Sequence, residues 1–98
     1  TTNQYREIYL CEGLLDALRL NSFGISAVAI LGSALSDAQA ALFKSLSDRL
    51  PKHQSLLVKL FLDRDEAGRK GAARAIKLLT KLYLQCHDND WRILRKYF

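Results

Sequence analysis

Short apolar runs alternate along this chain with stretches whose apolar positions recur every three or four residues. The runs read as buried strands and the periodic stretches as helices with one inward face. Strands are expected at Glu7–Cys11, Ile25–Leu31, Leu56–Leu62 and Leu82–Cys86. Gly13–Leu20 reads as a short helix that turns Leu14, Leu15 and Leu18 inward and ends at Asn21. Ser36, with Gln39 three residues on, has the pattern of a capping box; it opens a helix that runs towards Leu50 and stops before Pro51. A third helix is expected from Glu66 to between Leu79 and Lys81, and a last short one from Trp91 to Phe98. Gly32–Leu35, Lys52–Ser55 and His87–Asp90 read as turns or loops, and Gly71 marks a close approach of the third helix to the sheet.

The order β-α-β-α-β-α-β implies an α/β fold with a mainly parallel four-stranded sheet, right-handed crossovers and helices on both faces. A strand order of 2-1-3-4 sets the topological switch between the first and third strands, at whose carboxyl ends ligands bind in such sheets. Glu12 follows the first strand, and Asp63 and Asp65 follow the third. That order therefore brings three carboxylates to one edge, with Asp16 one turn beyond Glu12 on the same helical face. Hard oxygen donors without His or Cys suit Mg²⁺ or Mn²⁺. Each residue also has a plainer reading. Glu12 is a favourable charge at a helix N-terminus, Asp65 a helix N-cap, and Asp16 half of an ion pair. Several like charges at one sheet end, however, call for a cation to neutralise them.

Composition narrows the partners. Ninety-eight residues make one domain, and no apolar stretch approaches a membrane span or follows a signal-peptide pattern, so a cytoplasmic domain without membrane contact is expected. Cys11 and Cys86 lack metal-ligand spacing and fall inside expected strands, which points to buried free thiols. The net charge is +5, and ten of the fifteen Lys and Arg residues lie from Lys59 onward. Lys70, Arg74, Lys77 and Lys81 form one stripe on the third helix, opposite Ala72, Ala75, Ile76 and Leu79. A solvated amphipathic face explains that stripe, and so does contact with phosphates.

Three motifs in order carry a family resemblance: Cys11-Glu12-Gly13-Leu14-Leu15-Asp16, then Ala29-Ile30-Leu31-Gly32-Ser33, then Leu62-Asp63-Arg64-Asp65-Glu66-Ala67-Gly68 with the basic, alanine-rich Arg69–Ala75 behind it. Over nearly its whole length the chain resembles the Toprim domain, a Rossmann-like fold, in its bacterial-type DNA primase branch, primase-like proteins of plasmids and mobile elements included. The resemblance implies that Glu12 acts as general acid or base in nucleotidyl transfer and also binds metal, that Asp63 and Asp65 hold Mg²⁺ or Mn²⁺, and that Asp16 supports them. Gly13, Gly32 and Gly68 would form tight turns near the ligand. Arg64, Arg69, Lys70, Arg74 and Lys77 are the candidates for phosphate or nucleic acid. Two departures stand out: Arg64 replaces the usual glycine between the aspartates, and Asp88-Asn89-Asp90 has the spacing of a later acidic segment without its proline. Asp88 and Asp90 are thus candidates for a further metal site or for an ordinary turn.

The activity implied is metal-dependent synthesis of RNA primers on a DNA template from nucleoside triphosphates, by a single domain at residues 1–98 excised from a larger protein. Its other domains, and a helicase, would be partners. The same acidic site also suits a Toprim nuclease, a topoisomerase-related domain, or a module that binds nucleic acid or protein without turnover. Tyr5, Tyr9, Tyr83 and Tyr97 all read as structural, each in or beside an apolar segment.

Overall fold

The computed structural model describes residues 4–30, 34–63, 65–88, 94, 96 and 97. Gly32, Arg64, Asp90, Trp91 and Phe98, each given a role from the sequence, lie outside the described residues.

Four strands and three helices alternate: β1 (Gln4–Cys11), α1 (Leu14–Ser22), β2 (Ala27–Ala29), α2 (Asp37–Arg49), β3 (Gln54–Phe61), α3 (Glu66–Lys81) and β4 (Gln85–Asp88). Every pairing is parallel, as the alternation implied, and the strand order is β2-β1-β3-β4, the order that brings the carboxylates of the two central loops together. Adjacent β1 and β3 pair along their full lengths, from Gln4 opposite Gln54 to Cys11 opposite Phe61. Both central strands therefore end level, and the loops that follow them start side by side.

β3 is covered on both faces, which is why it reads as a continuous apolar run, whereas β1 is buried only towards its carboxyl end. Leu56, Val58, Leu60 and Leu62 pack with Leu10 against Ala40 and Phe43 of α2 and Ala72, Ala75 and Leu79 of α3. On the opposite face Cys11 and Phe61 pack against Ala17 and Leu20 of α1, with Leu94 closing that cluster. Leu94 thus joins the domain's own core. Tyr9 stacks on Phe61 at 5.1 Å, and Lys59 lies over the Tyr9 ring while pairing with Glu7.

Three expectations need correction. Leu14, Leu15 and Leu18 do not form the inner face of α1; Leu15 is 80% exposed, and Ala17 and Leu20 face the sheet instead. Small Ala17 lets the helix lie close to the bulky Phe61, and the leucines are left outside. Second, β4 starts at Gln85 rather than Leu82. Leu82, Tyr83 and Leu84 terminate α3: the Tyr83 amide donates to the Thr80 carbonyl and the Leu84 amide to the Leu79 carbonyl. This is the Schellman pattern, whose apolar residue two beyond the cap packs on the last turn; its spacing imitates a strand. Consequently Asp88 is the last residue of β4, opposite Leu60, and not part of a turn. Third, the Tyr83 side chain does not pack in the core: it is 93% exposed, and Tyr5 is exposed as well.

Helix entry follows the sequence more closely. Ser36 accepts from the Gln39 amide at 3.1 Å, and the Gln39 side chain accepts from the Ser36 amide at 3.2 Å. The short edge strand β2 is finished by a side chain: the Asn21 amide group accepts from the Ala27 N–H at 2.9 Å and donates to the Ala27 carbonyl at 3.0 Å. It satisfies backbone groups that an edge strand otherwise leaves unpaired.

Candidate functional site

The carboxyl ends of β1 and β3 carry the acidic residues. Glu12 leaves β1 directly, and its Oε2 accepts a hydrogen bond from the Asp63 backbone amide at 2.9 Å. One carboxylate thereby ties together loops fifty-one positions apart in sequence. Asp16 lies on the first turn of α1, where Oδ2 would be 3.5 Å from a methyl group placed on Gly13.

Asp65 fulfils the plainer of its two readings. It is the N-cap of α3, with Oδ1 accepting from the Gly68 amide at 2.7 Å. The bond fixes the carboxylate at the positive end of a sixteen-residue helix, where negative charge is favoured. Gly68 is required for this geometry. A Cβ there would fall 1.8 Å from the Asp63 carbonyl oxygen and 2.6 Å from its carbon, so only a residue without a side chain lets the helix start so close to the β3 loop. Gly13 differs: its backbone is extended, with φ −102°, and an added methyl would make only ordinary contact with Asp16.

Among the described residues, no three Asp, Glu, His or Cys side chains stand close enough to form a metal-binding group. The Glu12 carboxylate meets the Asp63 backbone amide, Asp65 is anchored to its own helix, and Asp88 lies at the same end of the sheet on β4. The donor set remains one of oxygens. Burial pushes the Cys11 thiol up to about 11, with Asp16 adding to the effect, and burial followed by Asp88 does the same for Cys86. Both thiols are therefore protonated at neutral pH and are poor metal ligands or nucleophiles. His53 precedes β3, at the opposite end of the sheet from Asp63. Mg²⁺ often takes only one or two carboxylates and keeps its waters, so these oxygens suit it without a closed cage.

The basic residues occupy α3. Lys70, Arg74, Lys77 and Lys81 are exposed along one side while Ala72, Ala75 and Leu79 are buried, as the stripe implied. Lys70 pairs with Glu66 at 3.3 Å. Arg74, Lys77 and Lys81 border a shallow cleft of about 190 Å³ and have no carboxylate partner among the described residues. A larger cleft of about 330 Å³ lies between α2 and β2; Val28, Leu42, Phe43 and Leu46 line it and no carboxylate does.

Residues 9–94 match the family described as Toprim-like. The chain belongs to the Toprim-like family. This Toprim-like domain is 37% identical over 76 residues to a DNA primase of Campylobacter jejuni and 42% identical over 71 residues to one of Aquifex aeolicus. Those stretches cover 76% and 71% of the domain but only 11% and 13% of the relatives, so the chain spans roughly an eighth of their length. Among solved structures, the domain is similar to a chain in the complex of bacteriophage T7 lagging-strand DNA polymerase with primase domains bound to an RNA/DNA hybrid and dTTP. The TM-score is 0.50 at 28% identity, covering 79% of this chain and 39% of that one. The Toprim-like domain thus shares fold and family with DNA primases. Among the described residues no helix is long and apolar enough to cross a membrane.

The sequence motifs singled out Glu12, Asp63, Asp65 and Gly68. The steric reason for Gly68 was not legible, because it depends on where the Asp63 carbonyl lies once the helix has docked. The sequence reads Tyr83 as structural because its segment has the rhythm of a strand. Leu79-Thr80-Lys81-Leu82-Tyr83-Leu84 fits a helix terminus as well as a strand, and that ambiguity was its only signal.

Proposed function

We propose that this domain is the catalytic Toprim unit of a larger, cytoplasmic DNA primase-like protein, and that it performs metal-dependent nucleotidyl transfer to make RNA primers on a DNA template. The observation that carries the reading is the bond from the Asp63 amide to Glu12, which joins the loops of the two central strands at the switch point of the sheet. The likeness to DNA primases supports the choice among Toprim activities.

One or two carboxylates drawn from Asp63, Asp65 and Glu12 would hold Mg²⁺ or Mn²⁺, which keeps its waters, with Asp16 behind them and Asp88 and Asp90 as further candidates. A cation held there supplies charge stabilisation for a phosphoryl group in transfer. The remaining work belongs to the chain. Glu12 keeps one carboxylate oxygen clear of the Asp63 amide, and that oxygen can take the proton of an attacking 3′-hydroxyl. The cap bond at Gly68 holds Asp65 in one orientation, so no reorganisation is needed as charge develops. Arg64, Arg69, Lys70, Arg74 and Lys77 are suited to phosphates of template, nucleotide or nascent strand. Other domains of the parent protein, and a helicase, are the proposed protein partners.

The test is primer synthesis by the full-length protein on single-stranded template with labelled nucleoside triphosphates and Mg²⁺. Short RNA products should form, and Asp63→Ala should abolish them. Undiminished synthesis by Asp63→Ala would refute the site, and metal-dependent DNA cleavage without primers would assign a nuclease instead.

A further inference from the structure

Helices α1 and α3 end in the same way, and the difference between them is informative. After α1, the Gly24 amide donates to the Asn21 carbonyl and the Ile25 amide to the Leu20 carbonyl; after α3, Tyr83 and Leu84 make the corresponding bonds to Thr80 and Leu79. Both caps need one residue in the left-handed region. Gly24 fills that place at φ 81°, where glycine carries no steric penalty, whereas Tyr83 fills it at φ 60°. A non-glycine residue there is strained, and such strain is concentrated at functional sites. Tyr83 gains nothing from packing in return, since its side chain is 93% exposed.

Its neighbours suggest what it meets. Lys81 is two residues away, and Arg74, Lys77 and Lys81 line one cleft without a carboxylate among the described residues to neutralise them. From Ala67 to Lys81 the helix contains no acidic residue. The stripe from Lys70 to Lys81 is roughly 16 Å long at about 1.5 Å per residue, and it leads away from the Asp65 cap towards Tyr83. It offers no Asn or Gln to read base edges. A basic track with an exposed aromatic residue two positions beyond its last cation has the two parts that sequence-independent binders of single strands combine: cations for the backbone and a flat face for a base.

We infer that the outer face of α3 with Tyr83 is a binding track for single-stranded nucleic acid, in which Arg74, Lys77 and Lys81 contact successive phosphates and the Tyr83 ring stacks on a base. This rests on the proposal that the domain handles nucleic acid, and it adds a surface remote from the carboxylates along the helix.

The test is the anisotropy of a fluorescein-labelled oligothymidylate of about 16 nucleotides, titrated with the chain in EDTA over a range of salt. Tyr83→Gly should weaken binding by roughly 5- to 100-fold while Tyr83→Phe binds normally. Tyr83→Gly should also raise the melting temperature, because glycine relieves the strain, so weaker binding cannot be ascribed to unfolding. Replacing Arg74, Lys77 and Lys81 together by Ala should flatten the dependence of log affinity on log salt by about 2, at roughly 0.7 per phosphate contact. A Tyr83→Gly chain of normal affinity, or an unchanged salt slope in the triple variant, would overturn the track. Because metal is absent, neither result depends on the carboxylate site, which the primer-synthesis test of Asp63→Ala addresses separately.

Discussion

Gly68→Ala adds one methyl group at the point where α3 meets the β3 loop. On helix propensity alone it should stabilise, since alanine is favoured over glycine inside a helix by about 1 kcal/mol. The tertiary structure reverses that sign. The new carbon would lie 1.8 Å from the Asp63 carbonyl oxygen, where ordinary contact begins at 3.4 Å. Backbone on both sides must therefore separate by about 1.6 Å. Overpacking of this kind costs about 1–3 kcal/mol. The separation also pulls Gly68 from the Asp65 cap, worth about 1 kcal/mol, and displaces the Asp63 amide from Glu12, a charged hydrogen bond worth about 1.5–3 kcal/mol. With the propensity gain subtracted, the expected net loss is at least about 2.5 kcal/mol, a large part of the stability of a small domain. Urea denaturation followed by circular dichroism should lower the midpoint by about 2 M, at a slope of about 1–2 kcal/mol per molar. The Asp63 amide resonance should move as its carboxylate partner is lost. Gly13→Ala is the matched control, because its methyl group finds room, and its cost should stay below about 1 kcal/mol. A Gly68→Ala chain as stable as the parent would refute the reasoning and show that the helix can start farther from the sheet at no cost.

Three further outcomes are expected. Asn21→Ala removes both bonds to Ala27 and exposes the β2 edge, so chemical denaturation should show a loss of about 1–3 kcal/mol, and a loss below 0.5 kcal/mol would mean that water replaces the amide fully. Ser36→Ala breaks the capping box of α2 and should cost about 1 kcal/mol by the same measurement. Cys11 binds its proton more tightly folded than unfolded, so its contribution is complete below the ordinary thiol value of 9.0 and is lost as pH rises towards about 11. Across that window Cys11→Ser should show a shallower fall in stability with pH than the parent chain; equal slopes would remove Cys11 as the cause.

The likeness to DNA primases frames these tests without replacing them, since the relatives are about eight times longer than the matched stretch. The carboxylates lie at one end of the sheet, the cations run along α3, and the two can be probed independently.

Much of this architecture was written in local pattern. Alternation of apolar runs with helical periodicity implied a parallel sheet with right-handed crossovers, and the order β2-β1-β3-β4 was expected because it brings Glu12 beside the loop of Asp63 and Asp65. Ser36 and Gln39 announced their capping box, and the spacing from Glu12 to Asp63 and Asp65 announced one acidic end. These features depend on near neighbours or on chain order, both of which a sequence contains. What the sequence could not supply were facts about the partner of each surface. Leu14, Leu15 and Leu18 are as apolar as any core residues, yet Ala17 and Leu20 face the sheet, because the docking of α1 on Cys11 and Phe61 decides which side of the helix is covered. Leu82–Leu84 has the rhythm of a strand, yet it closes a helix, because Leu84 packs on the core beside Leu79. Gly68 is obligatory only once the Asp63 carbonyl stands beside it, and Tyr83 becomes conspicuous only once its backbone is seen to be left-handed. Periodicity identifies which residues can be buried; the close packing of one element on another decides which of them are.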